Sequence, residues 1–318
     1  MFRAGALEAE GFPLAAVSDW LESSDTVLWI DLCSPSDRQL HELAAELSLH
    51  ELAVEDAIEP HQRPKLDHYE SHLFVTCHAL RLERASGRLE SAEIDAFIHG
   101  RWLVTVRTDE TFPIEDAMRR CARTPHLTIH GAGFLLHALL DAVVDGYFDA
   151  IQAFDDYYDE VSDAVFSERP MEPAGQRHWF DMRRSLMRLH RMAAPLREVV
   201  SALMRSEPDI VPTALTPYYQ DVYDHVLRVI ESTEVLRDLV ATLVETNITL
   251  RDYRQNQIMK KVTSWAAIIA VPAVITGYYG MNVPFPGAGE HSGVISSALL
   301  IAVLSVALFL LFKRREWL

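Results

Sequence analysis

The chain has 318 residues, 49% of them hydrophobic, and its 46 carboxylate side chains against 29 lysines and arginines leave a formal net charge of −17. That length suits one or two soluble domains with a small membrane part. The acidic surplus argues against nucleic acid as a partner and is compatible with attracting cations, although it also serves simply to keep a domain soluble.

The N-terminal stretch has no sustained apolar core after its basic start, so no secretory signal is expected and the body should stay in the cytoplasm. Cys33, Cys77 and Cys121 are isolated, which fits free thiols in a reducing compartment. Residues 1–130 alternate between strand-like and helix-like stretches and predict a cytosolic α/β domain. Val27–Leu32 reads as a short strand ended by Ser34-Pro35. Ser36 can cap a helix whose apolar face is Leu40, Leu43, Ala44 and Leu47. Leu73–Leu82 and Glu93–Ile98 alternate as strands, with Trp102–Arg107 as a hairpin partner.

Residues 131–213 predict a helical hairpin. Gly133–Ser167 places Leu135, Leu139, Val143 and Phe154 on one side and turns acidic at Asp155, Asp156, Asp159, Glu160 and Asp163. The next helix, around Trp179–Met204, is basic at Arg183, Arg184, Arg188, Arg191 and Arg197. Opposite charges on consecutive helices suggest salt bridges between them, each worth little.

Thr216-Pro217 opens the longest element with a good start signal. No glycine or proline interrupts it from Tyr218 to Val271, so residues 214–279 predict a stalk helix that continues into a first membrane span. Val262–Tyr279 carries no formal charge and spans about 27 Å as a helix, close to a bilayer's hydrocarbon thickness. Pro272 is expected to bend it. Residues 280–293 form a short connector, 294–312 a second span and 313–318 a basic tail. Lys260 and Lys261 precede the first span and Lys313, Arg314 and Arg315 follow the second, while the connector has no lysine or arginine. Both chain ends are therefore expected in the cytoplasm and the connector outside.

Two spans per chain do not enclose a pathway, so the face of the long helix matters. A stripe at about 3.5-residue spacing runs back from Gly277 through Ala273, Ala270, Ala266, Thr263, Met259, Asn256, Asp252, Thr249 and Glu245. It is small inside the span and polar or acidic below it, unlike the leucine-rich seam of a coiled coil. Small residues also serve close helix packing in membranes. The acidic continuation favours a ring of helices around a wet cation pathway. The larger Val222, Val226, Ile230, Leu236, Val240, Leu243 and Leu250 lie elsewhere and can pack against the body.

Tyr279-Gly280-Met281-Asn282 at the outer end of the first of two C-terminal spans resembles the hallmark of the CorA-type magnesium transporter family. Asn256–Thr263, Pro272, the basic tail and Ala53–Tyr69, with Glu55-Asp56 and Gln62-Arg63-Pro64-Lys65, extend the likeness over most of the chain. The resemblance implies a funnel-shaped homopentamer in the plasma membrane that passes hydrated Mg²⁺, and also Co²⁺ and Ni²⁺. Gly280, Met281 and Asn282 would form the filter at the pore mouth, the glycine permitting its turn. Asn282's carbonyl oxygens would bond to the waters of an ion that dehydrates reluctantly. Met259 and Val262 would form a hydrophobic gate that closes by dewetting. Ala273 and Ala270 stand where family members often carry threonine and methionine, which implies a wider bore. Asp221 and Asp224 would belong to regulatory Mg²⁺ sites between subunits, unless they are merely solvated carboxylates of a helix start. A zinc transporter of the same superfamily is one alternative, and a membrane-anchored sensor or scaffold that moves no ion is another.

The histidines His61, His68, His72, His78, His126, His130 and His137 lack neighbours at a spacing that closes a zinc tetrahedron. Gly131-Ala132-Gly133 is not a dinucleotide fingerprint. No nucleophile elbow or triad spacing appears, so no enzyme and no organic cofactor are expected.

Overall fold

The structure is a computed structural model that describes residues 1–13, 17–59, 62–166, 173–281 and 286–318. The chain divides into two compact units, Met1–Ala241 and Thr242–Leu318.

In the first unit, β1 (Phe2–Arg3), β2 (Ala6–Leu7), α1 (Val17–Leu21) and β3 (Thr26–Cys33) are followed by α2 (Asp37–Leu47), α3 (Glu51–Ile58) and β4 (Lys65–His68). Then come β5 (Leu73–Glu83), β6 (Arg88–His99), β7 (Trp102–Arg107), α4 (Ile114–Arg123) and α5 (Pro125–Thr128). The strands make one sheet in the order β2-β1-β3-β7-β6-β5-β4. Among the described strands only β3 and β7 pair in parallel, with Leu28 opposite Trp102, because the crossover between them carries α2, α3 and the β4–β6 meander. The expected β6–β7 hairpin closes with His99 opposite Trp102. The strand expected over Glu93–Ile98 begins earlier, at Arg88, since β5 and β6 pair along their whole length from Glu83–Arg88 to Leu73–Ile98.

Ser36 caps α2 with a full capping box, in which Gln39 returns a bond to the Ser36 backbone. Leu40, Leu43 and Leu47 of α2 and Ala53 and Val54 of α3 join Leu28, Ile30, Phe74, Phe97 and Val104 in one core. Within the sheet, Arg107 grips Asp31 through three hydrogen bonds from Nε and Nη2, at 2.6 to 3.1 Å, and donates a fourth from Nη1 to the Phe112 carbonyl.

Three long helices follow: α6 (Ala132–Phe166), α7 (Pro173–Ser206) and α8 (Thr216–Tyr279), the last crossing the division between the units. Tyr147 of α6 donates to the His78 carbonyl of β5 at 2.7 Å, and Tyr219 of α8 donates to the Gly133 carbonyl of α6 at 2.8 Å. Both tyrosines are fully buried, so each hydroxyl needs such a partner.

The expected salt bridges between α6 and α7 are a correction. Among the described residues, Asp156 of α6 pairs with Arg84 of the β5–β6 turn, and Asp141 and Asp145 pair with Arg120 of α4. Of the α7 arginines, Arg197 pairs with its own neighbour Glu198. Charge signs along two helices did not reveal which faces met.

The second unit holds the rest of α8 and α9 (His291–Arg314). Both helices contain stretches long and apolar enough to cross a membrane. Pro272 has no N–H for the Ile268 carbonyl, while Thr276 Oγ1 donates to the Pro272 and Ala273 carbonyls at 2.7 and 3.3 Å. Ser264 likewise donates to the Lys260 carbonyl. These internal bonds satisfy hydroxyls that would otherwise be costly in hydrocarbon.

Candidate functional site

Two groups of residues carry the functional question: the stripe along α8 and a set of ligating side chains near its start. The apolar residues assigned to packing behave as such in the first unit, where Val222, Val226, Ile230, Leu236 and Val240 are buried. Leu243 of the second unit is buried too, and Leu250 half-buried.

Along the second unit, Glu245, Thr249, Asp252, Asn256, Met259, Thr263, Ala266, Ala270, Ala273 and Gly277 are all exposed. The more covered side of the helix runs through Ser264, Ile268, Val271 and Ile275, a different face. Val262 and Met259 are exposed by 58% and 57%, so the described residues of the second unit leave the expected gate uncovered. A Cβ built on Gly277 would meet no atom within 4 Å.

At the motif, α8 ends at Tyr279. The Gly280 and Met281 N–H groups donate to the Thr276 and Tyr278 carbonyls at 2.9 and 3.2 Å, tightening the last turn. Gly280 does not adopt a left-handed backbone; a Cβ there would come to 3.0 Å from the Thr276 oxygen, so close approach is what its missing side chain permits. Met281 is exposed, and Asn282 lies outside the described residues.

Near the start of α8, Asp221 does not join Asp224. Asp224 is exposed and accepts a bond from Gln220 at 2.9 Å. Asp221 instead lies with His225, one turn along the same helix, and Asp141 of α6. One ligand atom from each comes within 4.8 Å of the others, a spacing that could hold a metal ion. His225 Nε2 is 3.7 Å from Asp221 Oδ1, its ring stands edge-on to Phe148, and its Nδ1 is buried without a partner among the described residues. Two carboxylates and an imidazole, partly open to water, suit a divalent cation.

The surroundings are charged. Arg120 reaches both Asp141 and Asp145. His137, one turn before Asp141 and only 6% exposed, stacks on Phe134 and is held neutral down to about 4. Burial is the main cause and Arg120 adds to it, while Asp221 and a Tyr218 backbone bond pull the other way. Sequence reasoning found Asp221 but missed Asp141 and His225. The aspartate–histidine spacing of four on one helix was an available signal; the approach of α6 was not.

Residues 24–314 match the family described as CorA-like Mg2+ transporter protein. The chain belongs to the CorA family. Among its relatives, the putative metal ion transporter YfjQ of Bacillus subtilis is 30% identical over 91% of this chain and 89% of that protein. The cobalt/magnesium transport protein CorA of Thermotoga maritima is 29% identical over 93% and 84%. The solved structure of the CorA magnesium transporter from Methanocaldococcus jannaschii superposes with a TM-score of 0.80 at 21% identity, covering 98% of this chain and 95% of that one. The CorA architecture of a soluble α/β domain, a long helix and a C-terminal apolar helix is therefore the architecture of this chain. CorA proteins are ion transporters embedded in membranes rather than enzymes, and this chain is a CorA-type Mg²⁺ transporter.

Proposed function

We propose that copies of this chain, five by the family resemblance, assemble so that their α8 helices surround a pathway for hydrated Mg²⁺. One observation carries this reading. Ten positions from Glu245 to Gly277 are small, polar or acidic with a single exception, Met259, and all are exposed on one stripe. A lone membrane helix gains nothing from carboxylates and hydroxyls in register with alanines. A ring around water uses both, the acids to concentrate cations and the small residues to leave room for a hydration shell.

In this mechanism the Asn282 carbonyls ring the outer mouth with Gly280 and Met281 and bond to the ion's waters. Neutral oxygens capture Mg²⁺ without stripping it or holding it too long. Met259 and Val262 form the dry constriction. The basic flanks support cytoplasmic chain ends and an external connector. Domain limits near residues 130, 213, 279, 293 and 312 follow the same division of labour. The cobalt in the Thermotoga relative's name supports Co²⁺ as a second cargo, with Ni²⁺ following from the resemblance.

Asp141, Asp221 and His225 form the regulatory seat. Cytosolic Mg²⁺ bound there stabilises the closed arrangement and relaxes it when internal Mg²⁺ falls, because a ligand shifts the equilibrium only toward the state it binds better. Mg²⁺-dependent growth of an uptake-deficient strain tests the pathway: the wild-type chain should restore growth and Asn282→Ala should not. Equal rescue by both would remove the mouth assignment. Cross-linking of the purified protein to a species other than a pentamer would remove the ring of five.

A further inference from the structure

The arginines of α7 that make no pair with α6 meet elsewhere. Arg184, Arg188 and Arg191 stand at spacings of four and three, and so share one face of the helix. With Arg63, Arg88 and Asp181 they line a concavity of 510 Å³. The pocket is built by a specific contact. Ser185, buried beneath it, donates to the Gly87 carbonyl at 2.8 Å and accepts from the Leu89 N–H at 3.1 Å. Arg188 donates to the Leu89 carbonyl at 3.3 Å. The β5–β6 turn is thereby fastened to α7, and Arg88 is held beside the other arginines. Gly87, at a φ of +70°, allows this seat because a Cβ there would crowd His178 and Met182 at 3.1 Å.

Five guanidinium groups face one carboxylate, Asp181, leaving an excess of four positive charges in a chain whose net charge is −17. Among the described residues none of the five has an ion-pair partner. Like charges gathered this closely repel unless an anion joins them. The guanidinium fork fits phosphoryl oxygens two at a time, which makes arginine the side chain suited to such an anion. Arg184 to Arg191 spans about 10 Å along the helix, more than one tetrahedral anion reaches. A concave wall also suits a small ligand better than the flat surface of another protein.

We propose that this pocket binds a polyphosphate anion, a chain of two or more linked phosphoryl groups, free or carried by a nucleoside. Such anions chelate Mg²⁺ themselves, and their metal-free form, which carries the most negative charge, grows as Mg²⁺ becomes scarce.

Titration calorimetry on the purified full-length protein tests this, with sodium tripolyphosphate, orthophosphate and ATP as separate probes. Tripolyphosphate should bind saturably, orthophosphate at least tenfold more weakly, and excess Mg²⁺ should weaken the tripolyphosphate signal. ATP binding as tightly as tripolyphosphate would assign a nucleotide, and much weaker ATP binding an inorganic chain. Arg184→Gln with Arg188→Gln should lower tripolyphosphate affinity at least tenfold, while Arg183→Gln, the loss of one such charge just outside the pocket, should not. All three side chains are exposed, so the fold should persist, and circular dichroism checks it. The proposal is overturned by absence of saturable binding, by equal loss in Arg183→Gln, or by binding that survives the double substitution, which would place the anion elsewhere, as on the basic tail. It is equally overturned if the wild type binds no probe and the double substitution instead breaks the oligomer, since an acidic surface of a second copy would then be the occupant.

Discussion

Arg120 of α4 closes on the carboxylate of Asp141, the same aspartate whose ligand atom lies within 4.8 Å of those of Asp221 and His225. A tethered cation thus shares a carboxylate with the proposed divalent seat, and bound Mg²⁺ must share Asp141 with it or displace it. Arg120 has a second acceptor in Asp145 at 3.2 Å, so release from Asp141 leaves it paired. Arg120→Gln should therefore strengthen Mg²⁺ binding at the cluster about threefold to tenfold, on the order of 1 kcal/mol for a partly exposed charge pair. The internal Mg²⁺ that halves uptake should fall by the same factor. Asp221→Asn in the same background should cancel the gain; weaker inhibition in Arg120→Gln alone would show that the arginine only holds α4 on α6.

Gly277 offers a test of the axis that folding of a single chain does not confound. No atom lies within 4 Å of a Cβ built there, and its backbone is helical. Gly277→Leu should be tolerated within the chain and gain about 1 kcal/mol of helix propensity. If α8 lines a shared bore, the same change should cut Mg²⁺ uptake at least tenfold with expression and oligomeric mass unaltered. Uptake at the wild-type level would turn that face away from the pathway.

The long elements were legible because their signals are local. The α8 stripe and the Ser36 box are set by spacings of three and four along one helix, and the β6–β7 hairpin by a glycine between alternating runs. Asp141 was not legible as a partner of Asp221 because their meeting depends on how α6 approaches α8. The α7 arginines were assigned to α6 for the same reason: charge along a helix tells which residues share a face but not what that face meets. The two-residue strands β1 and β2 are too short for any period to register. Asn282 rests on its motif alone.

Asp95 gives the soluble unit a pH dependence of definite sign. It sits 2% exposed between β5 and β7, accepting from Thr76 Oγ1 at 2.7 Å. Burial pushes its carboxyl up to about 8, with Glu93 adding to the rise and the Thr76 bond opposing it. The folded state therefore holds a proton that the unfolded chain releases near pH 4, and stability falls as pH rises from about 4 to 8. Asp95→Asn keeps an oxygen for Thr76 and removes the titration. Thermal melts of the variant should match wild type near pH 4, exceed it at pH 8 and show a flatter profile between. A variant less stable than wild type at pH 8 would mean that the charged form is the one the fold favours.

The glycine pair at the start of α6 has a packing reason instead of a nucleotide. A Cβ on Gly133 would fall 1.8 Å from the Ile210 carbonyl oxygen, a backbone atom in the segment that leads into α8. The carbonyl of the same glycine accepts the buried Tyr219 hydroxyl. Two substitutions separate these effects. Tyr219→Phe removes one buried hydrogen bond and should cost about 1 kcal/mol. Gly133→Ala must push two backbones apart and should cost about 3 kcal/mol, the upper range for overpacking, because no flexible side chain is there to yield. In thermal melts of the full-length protein the alanine variant should therefore lose roughly three times as much as the phenylalanine variant. The double substitution should lose less than the sum, since separating the backbones already weakens the bond that Tyr219→Phe deletes. Additive losses would mean that α6 and the root of α8 are held by independent contacts, so that ion occupancy at Asp141 and Asp221 would have no shared joint through which to act on α8.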